Sequence, residues 1–323
     1  MNKSVYQSHI YFVCLLILFF IILFSGCGMM DSTLAKSLIY PRRQPLIKNP
    51  ADYGMDYQAV SFYAPDSVFI QAWLIPGGKD KIAVVTHPMP FTRYGFSVKD
   101  QGFFKVTKKE VELLKTARVL HNAGYDVLTF DFRNHGESGE GNQGVCGVGL
   151  NEWPDVIGAL DYIASSPDLK RKSIAFVSHC MGANATIMAM SREKEKFGRV
   201  KCLIAVQPVS MDVLVPCLIQ DKYSMFSSRV PAIDRKIIRY SGYSLKEMSP
   251  REDVKNIMVP VLYVQVKSDP WTRPDDVEGF YANTPGPKSL LWIEGEERFD
   301  GYNYFGDHPE KLLNFLNQYM DTP

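Results

Sequence analysis

Short apolar runs alternate with segments of helical spacing from about residue 57 to residue 320. Runs such as KIAVVT at 81–86 and SIAFVS at 173–178 are nearly continuous in apolar and β-branched residues. Such runs predict strands that are buried on both faces, which is typical of a parallel sheet. Because parallel strands are joined by crossover helices, the alternation predicts an α/β fold with a mostly parallel sheet and helices on both faces.

The predicted elements follow from periodicity and from the turn residues between the runs. Strands are expected at 58–64, 68–75, 81–86, 126–132, 173–178, 200–206, 260–266 and 289–293. Helices are expected at 110–122, 153–164, 183–192 and 310–320. The first two strands flank Pro65-Asp66-Ser67, which predicts an antiparallel hairpin. Residues 209–258 interrupt the alternation and predict a small cap-like insertion with a helical patch near 233–240.

The composition excludes several classes of protein. With 46% hydrophobic and 22% charged residues, the chain has enough apolar material for a core, which excludes a disordered tail. The 36 basic residues balance 35 acidic ones and form no basic block, so no binding to nucleic acid is expected. The six histidines and six cysteines show no metal-ligand spacing, so we predict neither a metal nor a cofactor.

The first 27 residues resemble a targeting signal. Lys3 precedes the uninterrupted apolar run 10–24, which is shorter than the about 20 residues of a membrane-spanning helix and is typical of a signal peptide. The run leads into FSGC, which resembles the bacterial lipoprotein box whose cysteine is acylated. We therefore predict lipid attachment at Cys27. A signal anchor with a chance cysteine is the alternative.

This interpretation divides the chain into three parts. Residues 1–26 are the signal peptide, residues 27–50 a polar tether, and residues 51–323 the α/β domain. Loss of Lys3 with the signal leaves basic and acidic groups balanced, so the acyl chains alone would bind the membrane. The expected location is the bacterial cell envelope, where the protein would be attached to a membrane and face the periplasm or the exterior.

A candidate nucleophile, Cys180, follows the predicted strand SIAFVS. The turn reads SHCMG, with Cys180 at its centre, and a helix rich in small residues comes next. A strand, a tight turn with a central nucleophile and a helix make up a nucleophile elbow. This turn would lift Cys180 above the sheet at the positive end of a helix, while Gly182 lets strand and helix approach. A buried structural cysteine is the alternative interpretation.

Three further segments follow predicted strands in a defined order. HPMP at 87–90 follows the third strand, DFRNHGES at 131–138 the fourth, and SDP at 268–270 the seventh. Together with the cysteine turn, they make residues 57–320 resemble the α/β-hydrolase superfamily. The resemblance is to the esterase, acylaminopeptidase and dienelactone hydrolase branches. The dienelactone hydrolases also use a cysteine in the elbow.

The resemblance implies a role for several residues. Cys180 would be the nucleophile and Asp269 the acid, and the amides of Met89 and Met181 would form the oxyanion hole. The histidine expected after the last strand is absent, and Arg298 stands in its place. No residue is thereby assigned as the general base.

The remaining histidines have other expected positions. His308 lies ten residues beyond Arg298 at the start of the terminal helix, where a surface position is expected. His87 and His135 are expected to brace loops, and His179 is expected to point away from Cys180.

Two functions remain open. A thiol is reactive without a general base when a cation or a helix N-terminus favours its thiolate. Arg298, held by Asp269 through a bidentate pair, would supply that cation. The chain would then be a Cys180-dependent hydrolase or transferase of acyl groups from a small-molecule ester or thioester. Because arginine cannot activate water, the alternative is a catalytically impaired relative that binds a ligand or a protein in the envelope.

Overall fold

The computed structural model describes residues 28–100 and 107–320 of the chain. The predicted signal peptide and the acylation site at Cys27 lie outside these residues. Within the two described ranges, no helix is both long enough and apolar enough to cross a membrane.

The described residues form an eight-stranded sheet and a two-stranded ribbon. In chain order the strands are β1 (Gln58–Tyr63), β2 (Phe69–Ile75), β3 (Lys81–Thr86), β4 (Gly95–Phe96), β5 (Val111–Glu112), β6 (Asp126–Phe130), β7 (Ser173–His179), β8 (Val200–Val206), β9 (Val261–Val266) and β10 (Lys288–Ile293). The large sheet has the order β1-β2-β6-β3-β7-β8-β9-β10. From β6 to β10 its strands run parallel, whereas β2 is antiparallel to β1 and β6. The predicted sheet and the predicted hairpin are confirmed.

Helices cover both faces of the sheet. They are α1 (residues 28–39), α2 (Leu113–Asn122), α3 (Trp153–Ser165), α4 (Met181–Arg192), α5 (Met211–Lys222), α6 (Val230–Ser241), α7 (Pro274–Asn283), α8 (Phe299–Asp307) and α9 (Pro309–Met320). Helices α2, α8 and α9 pack against one another, and α3 packs against α4. Because helices lie on both sides, every residue of β6 and β9 is buried.

The helices of the second half depart most from the predictions. Residues 209–258 contain both α5 and α6, whereas the sequence predicted only a helical patch near 233–240. Helix α5 contains Pro216, and its apolar residues follow no clear helical stripe, so its pattern did not indicate a helix. Helices α7 and α8 were also not predicted. Arg298 is the residue that precedes α8.

The N-terminal segment also differs from its prediction. Residues 27–50 were expected to form a polar tether, yet 28–39 form helix α1. One face of α1 buries apolar residues at helical spacing, Leu34, Ala35 and Ile39. Beyond the helix, Arg43 donates hydrogen bonds to three carbonyls of the loop after β6, at 2.7–3.1 Å. This segment is therefore packed onto the body, because its apolar stripe and its arginine both find partners there.

Candidate active site

Cys180 lies at the sharp turn between β7 and α4, at the carboxyl edge of the sheet. Its φ of 50° and ψ of −113° fall in a region that residues other than glycine rarely adopt. Two residues after it, a Cβ on Gly182 would lie 2.4 Å from Thr86 Oγ1 and 3.0 Å from the His87 carbonyl. Only glycine permits this close approach of helix to strand. The local geometry is that of a nucleophile elbow.

The Arg298 guanidinium is enclosed by hydrogen-bond acceptors. Nη1 donates to Asp269 Oδ2 at 2.6 Å, Nε to the Tyr302 hydroxyl at 2.7 Å, and Nη2 to the Gln207 carbonyl at 2.5 Å. The predicted bidentate pair with Asp269 is not formed. The other oxygen of Asp269, Oδ1, accepts the Trp271 amide at 2.9 Å. Arg298 is thus held by three different groups.

Gln207 is a residue of this site that the sequence analysis missed. It follows β8 with a φ of 53°. Its carbonyl accepts from Arg298, and its side-chain Nε2 donates back to the Arg298 carbonyl. Its Oε1 accepts the Val266 amide at 3.2 Å. Gln207 therefore ties the ends of β8 and β9 to the loop before α8, and its place directly after a predicted strand was the available signal.

The site holds a fixed positive charge beside the cysteine. Burial alone would lower the pKa of Arg298, yet Tyr302, Asp269 and Cys180 together hold that pKa above its ordinary value. Burial raises the pKa of Tyr302 well above its ordinary value; Arg298 opposes this rise and Cys180 adds to it. Arg298 therefore stays charged and Tyr302 stays neutral. Both lie beside the Cys180 side chain.

Three buried histidines brace loops at this edge. His87 Nε2 accepts the Phe132 amide at 3.0 Å, and His179 Nδ1 donates to the Thr86 carbonyl at 2.8 Å. His135 bonds a nearby carbonyl in the same way, at 2.8 Å. Burial lowers the pKa of His87 and His135 to about 3 and that of His179 to about 4. Each ring is therefore held by a backbone contact, and the low pKa makes each of them a weak base.

His308 lies at the surface, at the end of α8. Its ring packs beside Tyr304, with 4.6 Å between ring centroids. It lines an open cleft of about 350 Å³ together with Lys109 and Asp300, and Cys180 is not part of that lining. His308 is therefore placed where a surface residue was expected, away from the cysteine.

The turn after β3 leaves one amide free for an oxyanion. Pro88 and Pro90 have no N–H, and the Phe91 N–H donates to the Pro88 carbonyl at 2.9 Å. The Met89 amide is therefore the one in this turn that remains to donate. Met181 is the first residue of α4, where backbone N–H groups lack an acceptor within the helix. The Met89 and Met181 amides are thus placed where neighbouring backbone leaves them free, and their role as an oxyanion hole stays a prediction.

Aromatic side chains cover the site. The Phe299 ring lies 6.1 Å from that of Phe91, 5.7 Å from that of Trp271 and 5.8 Å from that of Tyr302, measured between centroids. Trp271 Nε1 also donates to Asp221 of α5 at 2.9 Å, which joins the insertion to the site. With these rings in place Cys180 is 8% exposed, so its thiol is nearly closed off from solvent.

Known proteins give one similar sequence and many similar structures. No family model matches the sequence. A Bacillus subtilis (strain 168) protein described as uncharacterized protein YqkD is 25% identical over 201 residues, which cover 61% of this chain and 63% of that protein. The match spans less than two thirds of that relative.

The similar structures decide the fold. The Pyrococcus furiosus esterase Pf2001 superposes with a TM-score of 0.65 at 21% identity, over 87% of this chain and 99% of that one. A dienelactone hydrolase from Anabaena variabilis gives a TM-score of 0.54 at 14% identity, over 82% and 99%. The chain has the α/β-hydrolase fold. Identities this low establish the fold and leave the activity to be argued from the site.

Within the α/β-hydrolase fold, Cys180 stands at the turn after β7 and Asp269 at the turn after β9. Arg298 occupies the loop after β10 and joins the two. Among the residues described, no group of three or more histidine, cysteine or carboxylate side chains is placed to hold a metal ion.

Proposed function

We propose that the chain transfers acyl groups through a thioester on Cys180. The observation that supports this most is the position of Arg298, a permanent cation held by Asp269 beside a cysteine in a strained elbow. A nearby cation favours the thiolate, which is the nucleophilic form of the thiol. The substrate class is an activated ester or thioester.

The acylation step needs no general base. The sulfur of the Cys180 thiolate attacks the carbonyl carbon and forms a tetrahedral intermediate, whose collapse restores the carbonyl and breaks the bond to the leaving alkoxide or thiolate. The negative oxygen of the tetrahedral intermediate would be held by the amides of Met89 and Met181. An activated leaving group departs as an anion, so Arg298 does not have to donate a proton.

The second step distinguishes transfer from hydrolysis. Water attacks a thioester well only when a base removes its proton, and burial lowers the pKa of His87 and His135 to about 3 and that of His179 to about 4, which makes these rings weak bases. A thiol acceptor differs, because a fraction of it is already thiolate at neutral pH. The proposed reaction therefore moves the acyl group from Cys180 to a thiol.

Incubation with p-nitrophenyl acetate tests this proposal. We expect one equivalent of nitrophenol to be released rapidly, followed by slow turnover that an added thiol accelerates. Mass spectrometry should find the acetyl group on Cys180. Cys180→Ala should abolish the burst. Cys217→Ala is the matched control and should leave the burst unchanged. Cys217 is chosen because it is partly exposed, whereas burial raises the pKa of Cys202 to about 12. Steady turnover without a burst, or acetylation elsewhere, contradicts the proposal.

A second function is favoured by the covered site. Phe299, Trp271 and Tyr302 pack over the loop that holds Arg298, and Cys180 is almost fully buried. An impaired relative that binds an apolar ligand or a protein partner would need no access to the sulfur. A chain that forms no adduct on Cys180 and gains no turnover from added thiol would be assigned this function.

We also propose that the protein is held in the bacterial cell envelope by lipid on Cys27. The support is the sequence alone, since the apolar run 10–24 and the FSGC segment precede the described part of the chain. The acyl chains would anchor the α/β domain to a membrane.

A further inference from the structure

Helix α1 presents an uncovered stripe to the outside. Its exposed residues recur at helical spacing, Met29, Thr33, Lys36 and Ser37. Met29 is 72% exposed and the adjacent Met30 is 39% exposed. The opposite stripe is buried in the body. Two methionines therefore stand exposed where the chain enters the folded domain.

Helix α6 and the turn before it extend this stripe into one surface. Asp31 of α1 pairs with Arg229 at 2.5 Å, and Lys36 Nζ lies 5.2 Å from the centre of the Tyr240 ring. Arg235, Ile238 and Arg239 are exposed on one face of α6, three and four residues apart. The α1–α6 surface consists of Met29, Met30, Lys36, Met225, Arg235, Lys236, Ile238 and Arg239. Its exposed apolar members include Met225 at 82% and Ile238 at 43%.

The α1–α6 surface is basic, although the whole chain is almost neutral. Lys36, Arg235, Lys236 and Arg239 have no ion-pair partner among the described residues. The one acid on α6, Asp234, accepts the Leu245 amide at 2.9 Å. A hydrogen bond from Ser32 lowers the pKa of Tyr240, and the nearby cations Lys36, Lys236 and Arg239 lower it further. Unpaired positive charge is therefore concentrated here.

The apolar run and Cys27, which precede α1 in the sequence, indicate that a membrane lies next to this surface. The apolar run ends at residue 24, and α1 begins at residue 28. The three residues between them can span at most about 10 Å. The anchor in the bilayer would be either the apolar run itself or lipid on Cys27. With either anchor, Met29 and Met30 would lie close to the membrane. Because α1 is fixed to the body, the rest of the surface lies near the membrane too.

We infer that the α1–α6 surface contacts an anionic lipid bilayer. Methionine and isoleucine side chains would enter the headgroup region, and the lysines and arginines would pair with lipid phosphates. This contact goes beyond acyl transfer and adds to the anchor, since it sets the orientation of the domain. The carboxyl edge of the sheet, where α1 and α6 lie, then faces the membrane, and the amino ends of the strands face away.

Photo-crosslinking of the full chain to lipid tests the contact. A benzophenone amino acid is placed at Ile238 or, as a control, at Met258, which is 69% exposed just before β9 at the opposite edge. The chain is reconstituted into vesicles of phosphatidylcholine alone or mixed with phosphatidylglycerol. We expect lipid adducts at Ile238 and few at Met258, with a higher yield at Ile238 in the vesicles that contain phosphatidylglycerol.

Charge reversal separates this contact from anchoring. Arg235→Glu with Arg239→Glu should lower the anionic-lipid adducts at Ile238 by about tenfold or more, while the chain still pellets with vesicles. Lys170→Glu with Arg171→Glu changes the net charge equally at the amino edge of the sheet and should have no effect. Equal yields of lipid adduct at Ile238 and Met258 would overturn the contact but not the anchor. An unchanged yield at Ile238 after charge reversal of Arg235 and Arg239 would do the same. A chain that pellets with neither vesicle overturns both.

Discussion

Arg298 donates hydrogen bonds to three groups from the position where the resemblance to α/β-hydrolases places a histidine. Its charge is buried and is compensated by Asp269, Tyr302 and the Gln207 carbonyl. Removal of one partner from a buried ion pair typically costs about 3–5 kcal/mol of stability. The arginine is therefore part of the fold as well as of the site, and substitutions here need a stability measurement beside any activity assay.

Arg298→His should create or increase hydrolysis of a p-nitrophenyl ester. An imidazole beside Cys180 and Asp269 can remove a proton from water, which arginine cannot do, so we expect a gain of about a hundredfold in steady turnover. Turnover is measured by release of nitrophenol after the burst. Circular dichroism and thermal unfolding confirm that the variant is folded.

Arg298→Lys is the control for this gain, because it keeps a cation and supplies no base at neutral pH. It should show no increase in turnover. A wild-type chain that already turns over the ester at a rate unaffected by Arg298→Ala would show that another base acts. His308 would be tested first, although it lies at the surface beside Tyr304.

The elbow depends on the fit between α4 and β3. Cys180 adopts a strained backbone conformation, and Gly182 brings the helix against Thr86 and the His87 carbonyl. The strain is tolerated because the Cys180 amide donates to the Val206 carbonyl at 2.8 Å, and its own carbonyl accepts the Asn184 amide at 2.9 Å. The local backbone is thus fixed from both sides.

Gly182→Ala should destabilise the fold by about 1–3 kcal/mol, because its Cβ would overlap a threonine side chain and a backbone carbonyl. Urea unfolding followed by circular dichroism measures the change. Gly279→Ala is the matched control. It lies within α7 with open space around it, so we expect a gain of about 0.5–1 kcal/mol. Equal effects at the two positions would falsify the proposed close contact.

At the scale of the whole molecule, one edge of the sheet gathers the chemistry and the expected membrane contact. Helix α1 joins the insertion to the body, through Asp31 on Arg229 and through Arg43 on the loop after β6. The same edge holds Cys180 and its cover of aromatic rings. A lipid anchor ahead of α1 would therefore hold the site close to the bilayer.

Cys27→Ala should block processing of the chain in a bacterial host. We expect the precursor to keep its apolar segment and to lose incorporation of labelled fatty acid, both measured by mass spectrometry. Cys14→Ala, which changes a cysteine inside the apolar run, is the control and should be processed and acylated normally. A mature wild-type protein that still contains residues 1–24 would contradict the anchor.

The sequence by itself determined the sheet and the place of Cys180 at the end of one of its strands. A strand that is buried on both faces is recognised in the sequence as a continuous apolar run. Residues that follow the carboxyl ends of parallel strands lie at the same edge of the sheet, however the helices pack. Cys180, Asp269 and Arg298 could be assigned to that edge in this way. Helices α5, α7 and α8 could not be predicted, because their patterns are short or lack a clear apolar stripe.

Only the tertiary structure decided which groups touch Arg298. Asp269 and Gln207 lie 29 and 91 positions away along the chain, and strand order alone brings them together. It also decided that α1 packs onto the body, since a single turn of apolar residues among polar ones gives too weak a pattern to separate from a tether. The local pattern of apolar residues determines which segments form strands and which faces are buried. The partner of a buried charge depends on contacts between distant segments, and neither segment's own sequence specifies those contacts.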